Sequence, residues 1–223
     1  VKTVVIVPYR PDHGHRDNLW KFVRDNYWRH QDHELIVGEH LTGNFNRSQA
    51  INDAAQHTTW DYAVIADADT WVPENQLYQA LLTARRSKRL TAAFDAVVEL
   101  SPHCTDDLLA QRTPITGSFT AGMVRTRDLE TQSSMLVICR DLWDRIGGYD
   151  EAFNGWGGED NAFWLAATLA AGEPHRITGN AYHLWHPPAA GKHTGRQYRT
   201  NLRRWQQYQT CTDLTQLQQL REG

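Results

Sequence analysis

The sequence predicts an α/β protein with a mostly parallel central sheet, helices on its faces and a helix at the C-terminus. Two observations carry this. Short apolar, β-branched runs at Val4–Val7, Glu34–Gly38 and Tyr62–Ala66 alternate with helix-period segments within the first 90 residues. That strand–helix order builds parallel, doubly wound sheets. The runs also end in Pro8-Tyr9-Arg10, Gly38-Glu39 and Asp67-Ala68-Asp69, where polar and charged groups replace apolar ones. In open α/β sheets, ligands collect at the carboxyl ends of the strands.

Taken in order, Val4-Val5-Ile6-Val7 stops at Pro8 and reads as a strand buried on both faces. A helix follows with Leu19, Trp20, Phe22, Val23 and Tyr27 at its apolar positions. Glu34–Gly38 is the second strand. Asn46–His57 is a helix whose Ala50, Ile51, Ala54 and Ala55 share one face. Tyr62–Ala66 is the third strand, and Pro73 suits the first position of the helix after it. From Ser101 to Gln132 periodicity is lost, and the stretch reads as a long loop. Ser134–Cys139 returns to a strand, and Arg140–Ile146 is a short helix closed by Gly147-Gly148. Asn161–Ala171 is a helix ended by Gly172, and Arg176–His183 is a further strand. Pro187–Gly195 is a Pro/Gly/Ala-rich loop. Asn201–Leu220 reads as one Gln-rich helix packed through Leu202, Trp205, Leu214 and Leu217.

A chain of 223 residues without repeat or linker is one domain, or one domain with an appended arm. Its net charge of −3 argues against a dedicated nucleic-acid binder or a polybasic membrane protein. No apolar run approaches bilayer-spanning length. The N-terminal apolar run is cut short by Pro8 and Arg10, which is not a signal-peptide layout. Three scattered cysteines, Cys104, Cys139 and Cys211, fit reduced thiols in a cytoplasm better than a disulfide framework.

The stretch richest in chemistry is Phe153-Asn154-Gly155-Trp156-Gly157-Gly158-Glu159-Asp160. Its glycines permit positive φ and close approach, and its two carboxylates stand where a helix begins, at the positive end of the dipole. With Trp156 as a stacking face, these groups are what a sugar site needs; a Gly-rich turn capped by Asp160 is the plainer account. Asp67-Ala68-Asp69 follows a buried strand. If extended, residues two apart point the same way, so both carboxylates would face one cation. Oxygen ligands of this kind suit Mg2+ or Mn2+ carrying a diphosphate. His183 and His186 add two imidazoles, and a mixed N/O set with Asp69 favours Mn2+. Arg10, Arg16 and Arg47 lie at the same edge or at a helix start, and guanidinium forks match phosphate. Phe45 serves either as a platform for a base or ribose, or as a hydrophobic staple. The segment from Lys192 to Arg204 carries five basic residues and no acid. It is open to three readings: a solvated helix face, a lid over a diphosphate, or a patch for an anionic acceptor.

In chain order, Val7-Pro8-Tyr9-Arg10, Phe45-Asn46-Arg47, Asp67-Ala68-Asp69, Gly147-Gly148-Tyr149 and the Gly155–Asp160 string resemble the β-1,4-galactosyltransferase-like enzymes. These are metal-dependent glycosyltransferases of the GT-A fold, and the polypeptide N-acetylgalactosaminyltransferases share the later motif. The resemblance runs from about residue 3 to 187. It implies that Pro8, Arg10 and Arg47 hold the nucleotide and phosphates of a nucleotide diphosphate sugar, of the UDP-sugar kind, with Phe45 beside the base and Asp67 on the ribose or metal; Tyr9, Arg16, Glu39 and Ala68, at the predicted ligand edge, are the further donor-binding candidates. Asp69 and His186 would ligate Mn2+ (or Mg2+), with His183 and Asp67 as further ligand candidates. Trp156, Gly157, Gly158 and Glu159 would line the sugars, and Asp160 would be the base of an inverting transfer to an acceptor hydroxyl. Related retaining enzymes carry Asn at the position of Asp160. The resemblance also implies a nucleotide-sugar half (1–100), an acceptor and catalytic half (101–190), and a lid loop with a C-terminal helix (191–223). The family's membrane stem has no counterpart here, as expected of a soluble bacterial or viral enzyme, and the acceptor is left open. A retaining transferase of the same fold, or a non-catalytic nucleotide-sugar- or carbohydrate-binding module, are the alternatives.

Overall fold

The computed structural model describes residues 1–111, 123–127, 131–188 and 194–222. Strand β1 (Thr3–Tyr9) lies between β2 (Glu34–Glu39) and β3 (Tyr62–Ala66), parallel to both. Val4 to Val7 and all of β3 are buried, as uninterrupted apolar runs require, and each such side chain contributes about 1.5–3 kcal/mol when removed from water. The crossovers are α1 (His15–Asn26) and α2 (Arg47–Gln56). Leu19, Trp20, Phe22 and Val23 of α1 and Ala50, Ile51, Ala54 and Ala55 of α2 are buried, the faces read from their spacing. Gly38 is needed where β2 meets α2, because a Cβ there would stand 2.1 Å from the Ala50 carbonyl oxygen.

After β3 the chain turns through β4 (Thr70–Trp71) into α3 (Glu74–Ser87), then β5 (Thr91–Ala92) and β6 (Ala96–Leu100). The stretch predicted as a loop contains a helix, α4 (Pro102–Gln111), and a strand, β7 (Met123–Arg127); residues 112–122 and 128–130 lie outside the described set. Strand β8 (Met135–Cys139) then enters the central sheet antiparallel to β3. The sheet is therefore mixed although mostly parallel, with order β2-β1-β3-β8-β5-β9. Helices α5 (Arg140–Ile146) and α6 (Glu159–Ala171) follow.

The single strand expected over Arg176–His183 is two, β9 (His175–Arg176) and β10 (Asn180–His183), in different sheets. A second, smaller sheet has order β4-β10-β6-β7. Its β4–β10 pair sets Thr70 opposite His183 and Trp71 opposite Tyr182, with the last two rings stacked at 5.5 Å. The expected C-terminal helix is also two, α7 (Arg196–Tyr208) and α8 (Leu214–Glu222). The Asp213 carboxylate accepts the Gln216 N–H at 2.9 Å and caps the second one. Leu217 is buried as expected, but Leu202 is 40% exposed and α7 buries Asn201 and Tyr208 instead. No described helix is long and apolar enough to cross a membrane.

Candidate active site and metal centre

The antiparallel pairing of β4 with β10 is what brings Asp69 to His183, across more than a hundred residues of chain. The Leu184 N–H donates to the Asp69 carbonyl at 3.0 Å, locking the register at the site. Asp69 is buried, with His183 Nε2 3.5 Å from Oδ1, His186 Nε2 3.4 Å from Oδ2 and Arg16 Nη2 3.5 Å from Oδ2. Burial alone would raise the Asp69 carboxyl pKa, but His183, Arg16 and His186 outweigh it and hold the group below its ordinary value. His186 Nδ1 lies 2.8 Å from the Pro187 carbonyl oxygen. A carbonyl only accepts, so Nδ1 carries the proton, and in the neutral ring Nε2 keeps its lone pair toward Asp69. Burial lowers the His186 pKa, and the Asp69 carboxylate beside it opposes that shift.

One ligand atom from each of Asp69, His183 and His186 lies within 4.8 Å of the others. Ligands held about 2.1 Å from one ion stand roughly 3–4.2 Å apart, so the donor set fits a divalent cation with little adjustment. Among the described residues this is the one such cluster.

Asp67 stands outside it. Residues 67–69 form a turn, with the Thr70 N–H directed at the Asp67 carbonyl at 3.4 Å, so the two carboxylates diverge instead of sharing a face as an extended segment would. Asp67 accepts from Arg47 Nη2 at 2.8 Å and from the Ser134 N–H at 3.0 Å, while its own N–H donates to the Ser134 carbonyl at 2.9 Å. Ser134 pairs with it from φ +76°, a left-handed conformation uncommon outside glycine.

Arg47 also donates through Nη1 to Asp160 at 2.5 Å, and its guanidinium lies 5.6 Å from the Tyr149 ring centroid. It thus joins the two acids from opposite ends of the site. Burial pushes Asp160 well above the ordinary carboxylate range; Arg47 opposes this, and Glu159 and Asp67 add to it. Glu159, first residue of α6, is 8% exposed and is raised for the same main reason. Its Oε2 has no hydrogen-bond partner among the described residues, an expensive arrangement for a structural carboxylate.

The Gly-rich segment is built from both sides. Asn52 Nδ2 donates to the Tyr149 carbonyl and Asn46 Nδ2 to that of Glu151, at 2.9 and 2.8 Å, while Gly155 donates to the Phe45 carbonyl at 3.1 Å. From α7, Asn201, 1% exposed, donates Nδ2 hydrogens to the carbonyls of Asn154 at 2.9 Å and Trp156 at 3.2 Å. Trp156, 39% exposed, lies against Tyr198 with ring centroids 5.6 Å apart. Gly158 has φ +99°, and a Cβ there would meet a Phe153 ring carbon at 2.6 Å, so the turn that aims Glu159 and Asp160 requires glycine.

The other residues expected at the site are more scattered. Pro8 is buried at the end of β1, and the Tyr9 hydroxyl donates to Asp17. Arg10 donates to the Gly43 carbonyl at 2.7 Å. Glu39 is exposed at the end of β2, Phe45 is half-buried before α2, and Ala68 sits in the turn between the two aspartates. Arg204, one of the basic run, is engaged inward with Asp150 at 2.6 Å, whereas Arg196, Arg199 and Arg203 are exposed. Lys192 and most of the expected lid loop lie outside the described residues. Sequence reasoning missed Asn201 and Ser134: neither type nor spacing marks a polar residue whose partners are distant in sequence.

A family model described as the N-terminal domain of galactosyltransferase matches residues 125–187. No curated protein matches the chain. Among solved structures, the catalytic domain of Drosophila β1,4-galactosyltransferase 7 in complex with xylobiose is similar, with TM-score 0.56 and 16% identity, over 96% of this chain and 83% of that one. The glucosyl-3-phosphoglycerate synthase of Mycobacterium tuberculosis, in complex with Mn2+, UDP-glucose and phosphoglyceric acid, gives TM-score 0.56 at 14% identity, over 97% and 79%. The fold is of the GT-A kind. Fold, matched segment and acid–imidazole cluster together define an enzyme of the glycosyltransferase class.

Proposed function

We propose that the protein moves a sugar from a nucleotide diphosphate sugar, of the UDP-sugar kind, to an acceptor hydroxyl with inversion at the anomeric carbon. The observation that carries this is the Arg47 bridge from Asp67 to Asp160, with Asp67 two residues before Asp69 of the metal-ligand cluster. It sets a candidate diphosphate–metal site beside a candidate base. The donor complexes of similar structures lend support, since the Mycobacterium enzyme was crystallised with Mn2+ and UDP-glucose.

In this reading Asp69, His183 and His186 hold Mn2+ (or Mg2+), which would supply positive charge to the departing diphosphate. Arg16, and Arg10 at the same edge, add guanidinium charge to the phosphates. Asp160 takes the proton of the acceptor hydroxyl as that oxygen attacks the anomeric carbon. The bond from that carbon to the diphosphate oxygen breaks on the opposite face, and the electron pair leaves with the diphosphate. A raised pKa strengthens Asp160 as a base, and the Arg47 guanidinium opposes part of that rise. Glu159, with its unpartnered oxygen, accepts from a sugar hydroxyl, and Trp156 offers its face to a sugar ring. The division into a donor half (1–100), an acceptor half (101–190) and a C-terminal strap (191–223), and a cytoplasmic setting, belong to the same proposal. The test is the anomeric configuration of the transferred sugar by proton NMR. Inversion that vanishes in Asp160→Asn supports the reading; retention in the wild type removes Asp160 from the role of base.

A further inference from the structure

The residue before His186 is held from two directions. Thr105 of α4, fully buried, accepts the Trp185 N–H at Oγ1 over 2.9 Å. His15, the first residue of α1, meets the Trp185 carbonyl oxygen at 2.9 Å through Nε2. That carbonyl accepts, so His15 donates and carries its proton on Nε2. The His15 and Trp185 rings also meet edge-on, 5.6 Å between centroids. Trp185 is 38% exposed and follows the end of β10, yet both of its backbone polar groups are held by side chains of two helices. Ordering them in this way costs entropy, and what the ordering fixes is the next side chain, His186. The following carbonyl, of Pro187, fixes that ring's tautomer. The neighbouring α1 residue, Arg16, reaches Asp69 itself.

We propose that Thr105 and His15 are positioning residues that clamp Trp185 from both sides and so aim His186 Nε2 at the divalent cation; this rests on the metal reading above. The clamp ties α4, a helix with no counterpart in the sequence prediction, to the metal centre. It also places the N-terminus of α1 in two jobs, holding the ligand turn through His15 and countering Asp69 charge through Arg16. Groups that orient a metal-ligating histidine typically carry 10–100-fold in affinity, and a clamp acting through one intervening residue falls at the lower end.

The test is titration of the full chain with Mn2+ alone, followed by calorimetry and by the electron paramagnetic resonance signal of free Mn2+. Thr105→Val keeps shape and removes the acceptor; His15→Phe keeps the ring and removes the donor. Each is expected to weaken Mn2+ binding about tenfold and Thr105→Ser to restore it. In a His186→Ala background neither should weaken residual binding further. Wild-type affinity in both Thr105→Val and His15→Phe overturns the clamp while leaving the metal site standing. Should Thr105→Val not fold, the half-exposed His15→Phe decides alone. A wild-type chain that takes up no Mn2+ overturns the metal reading, and the clamp falls with it.

Discussion

Replacing Asn201 by Asp tests whether α7 holds the Gly-rich segment in place. The change preserves shape but removes both hydrogens that reach the Asn154 and Trp156 carbonyls at 2.9 and 3.2 Å. Each bond contributes about 0.5–1.5 kcal/mol net. An oxygen then faces two carbonyl oxygens in a nearly closed space, which moves the total to about 3 kcal/mol. In a chain of this size 1 kcal/mol shifts the thermal midpoint about 2–4 °C, so a fall of about 6–12 °C is expected by circular dichroism. The neighbouring Leu202→Ala removes an apolar group that is 40% exposed and should move the midpoint by less than about 2 °C. Mn2+ binding should be unchanged in both, because Asn201 touches none of Asp69, His183 or His186. A midpoint for Asn201→Asp as close to wild type as that of Leu202→Ala would refute the reasoning.

Other consequences follow from the same geometry. Asp160→Asn should lower turnover about 10²–10⁴-fold. In the wild type, burial of Asp160 should place the acidic limb of the pH–rate profile above the ordinary carboxylate range, and the variant should lack that limb. Gly158→Ala must fit a Cβ 2.6 Å from the Phe153 ring at φ +99°. A loss of about 2–4 kcal/mol, read by urea denaturation, is expected. Asp150 accepts from Arg204 and Tyr208, both at 2.6 Å. Burial alone would raise its pKa, but these bonds outweigh it and the folded value is lowered. That stability is present above the ordinary aspartate value, near about 4, and is lost as pH falls through the lower folded value. Wild-type stability should therefore fall with acid more steeply than that of Asp150→Asn, which is less stable at neutral pH by about 2–3 kcal/mol.

The parts of the molecule legible in the sequence are those where local pattern and burial coincide. Val4–Val7 and Tyr62–Ala66 are apolar throughout because both faces are covered, and the Gly155–Asp160 string announces a turn before a helix. Asp69 and His186 were legible as ligand candidates from their chemistry and from the family resemblance. The direction of β8 was not, since a buried strand reads alike either way. The two-residue β4 leaves no periodicity, so neither its pairing with β10 nor the divergence of Asp67 from Asp69 could be read. The break between α7 and α8 did leave a signal, the capping Asp213, which a run of glutamines obscured. Asn201 left none, because its partners lie 45 and 47 residues away.

The most direct measurement is nucleotide release from a panel of nucleotide diphosphate sugars, with Mn2+ and with chelator, for the wild type and Asp69→Asn. Slow release from one donor, dependent on Mn2+ and absent in the variant, is the expected result and identifies the sugar. Folded wild-type protein that neither binds nor cleaves any donor with metal present would contradict transfer.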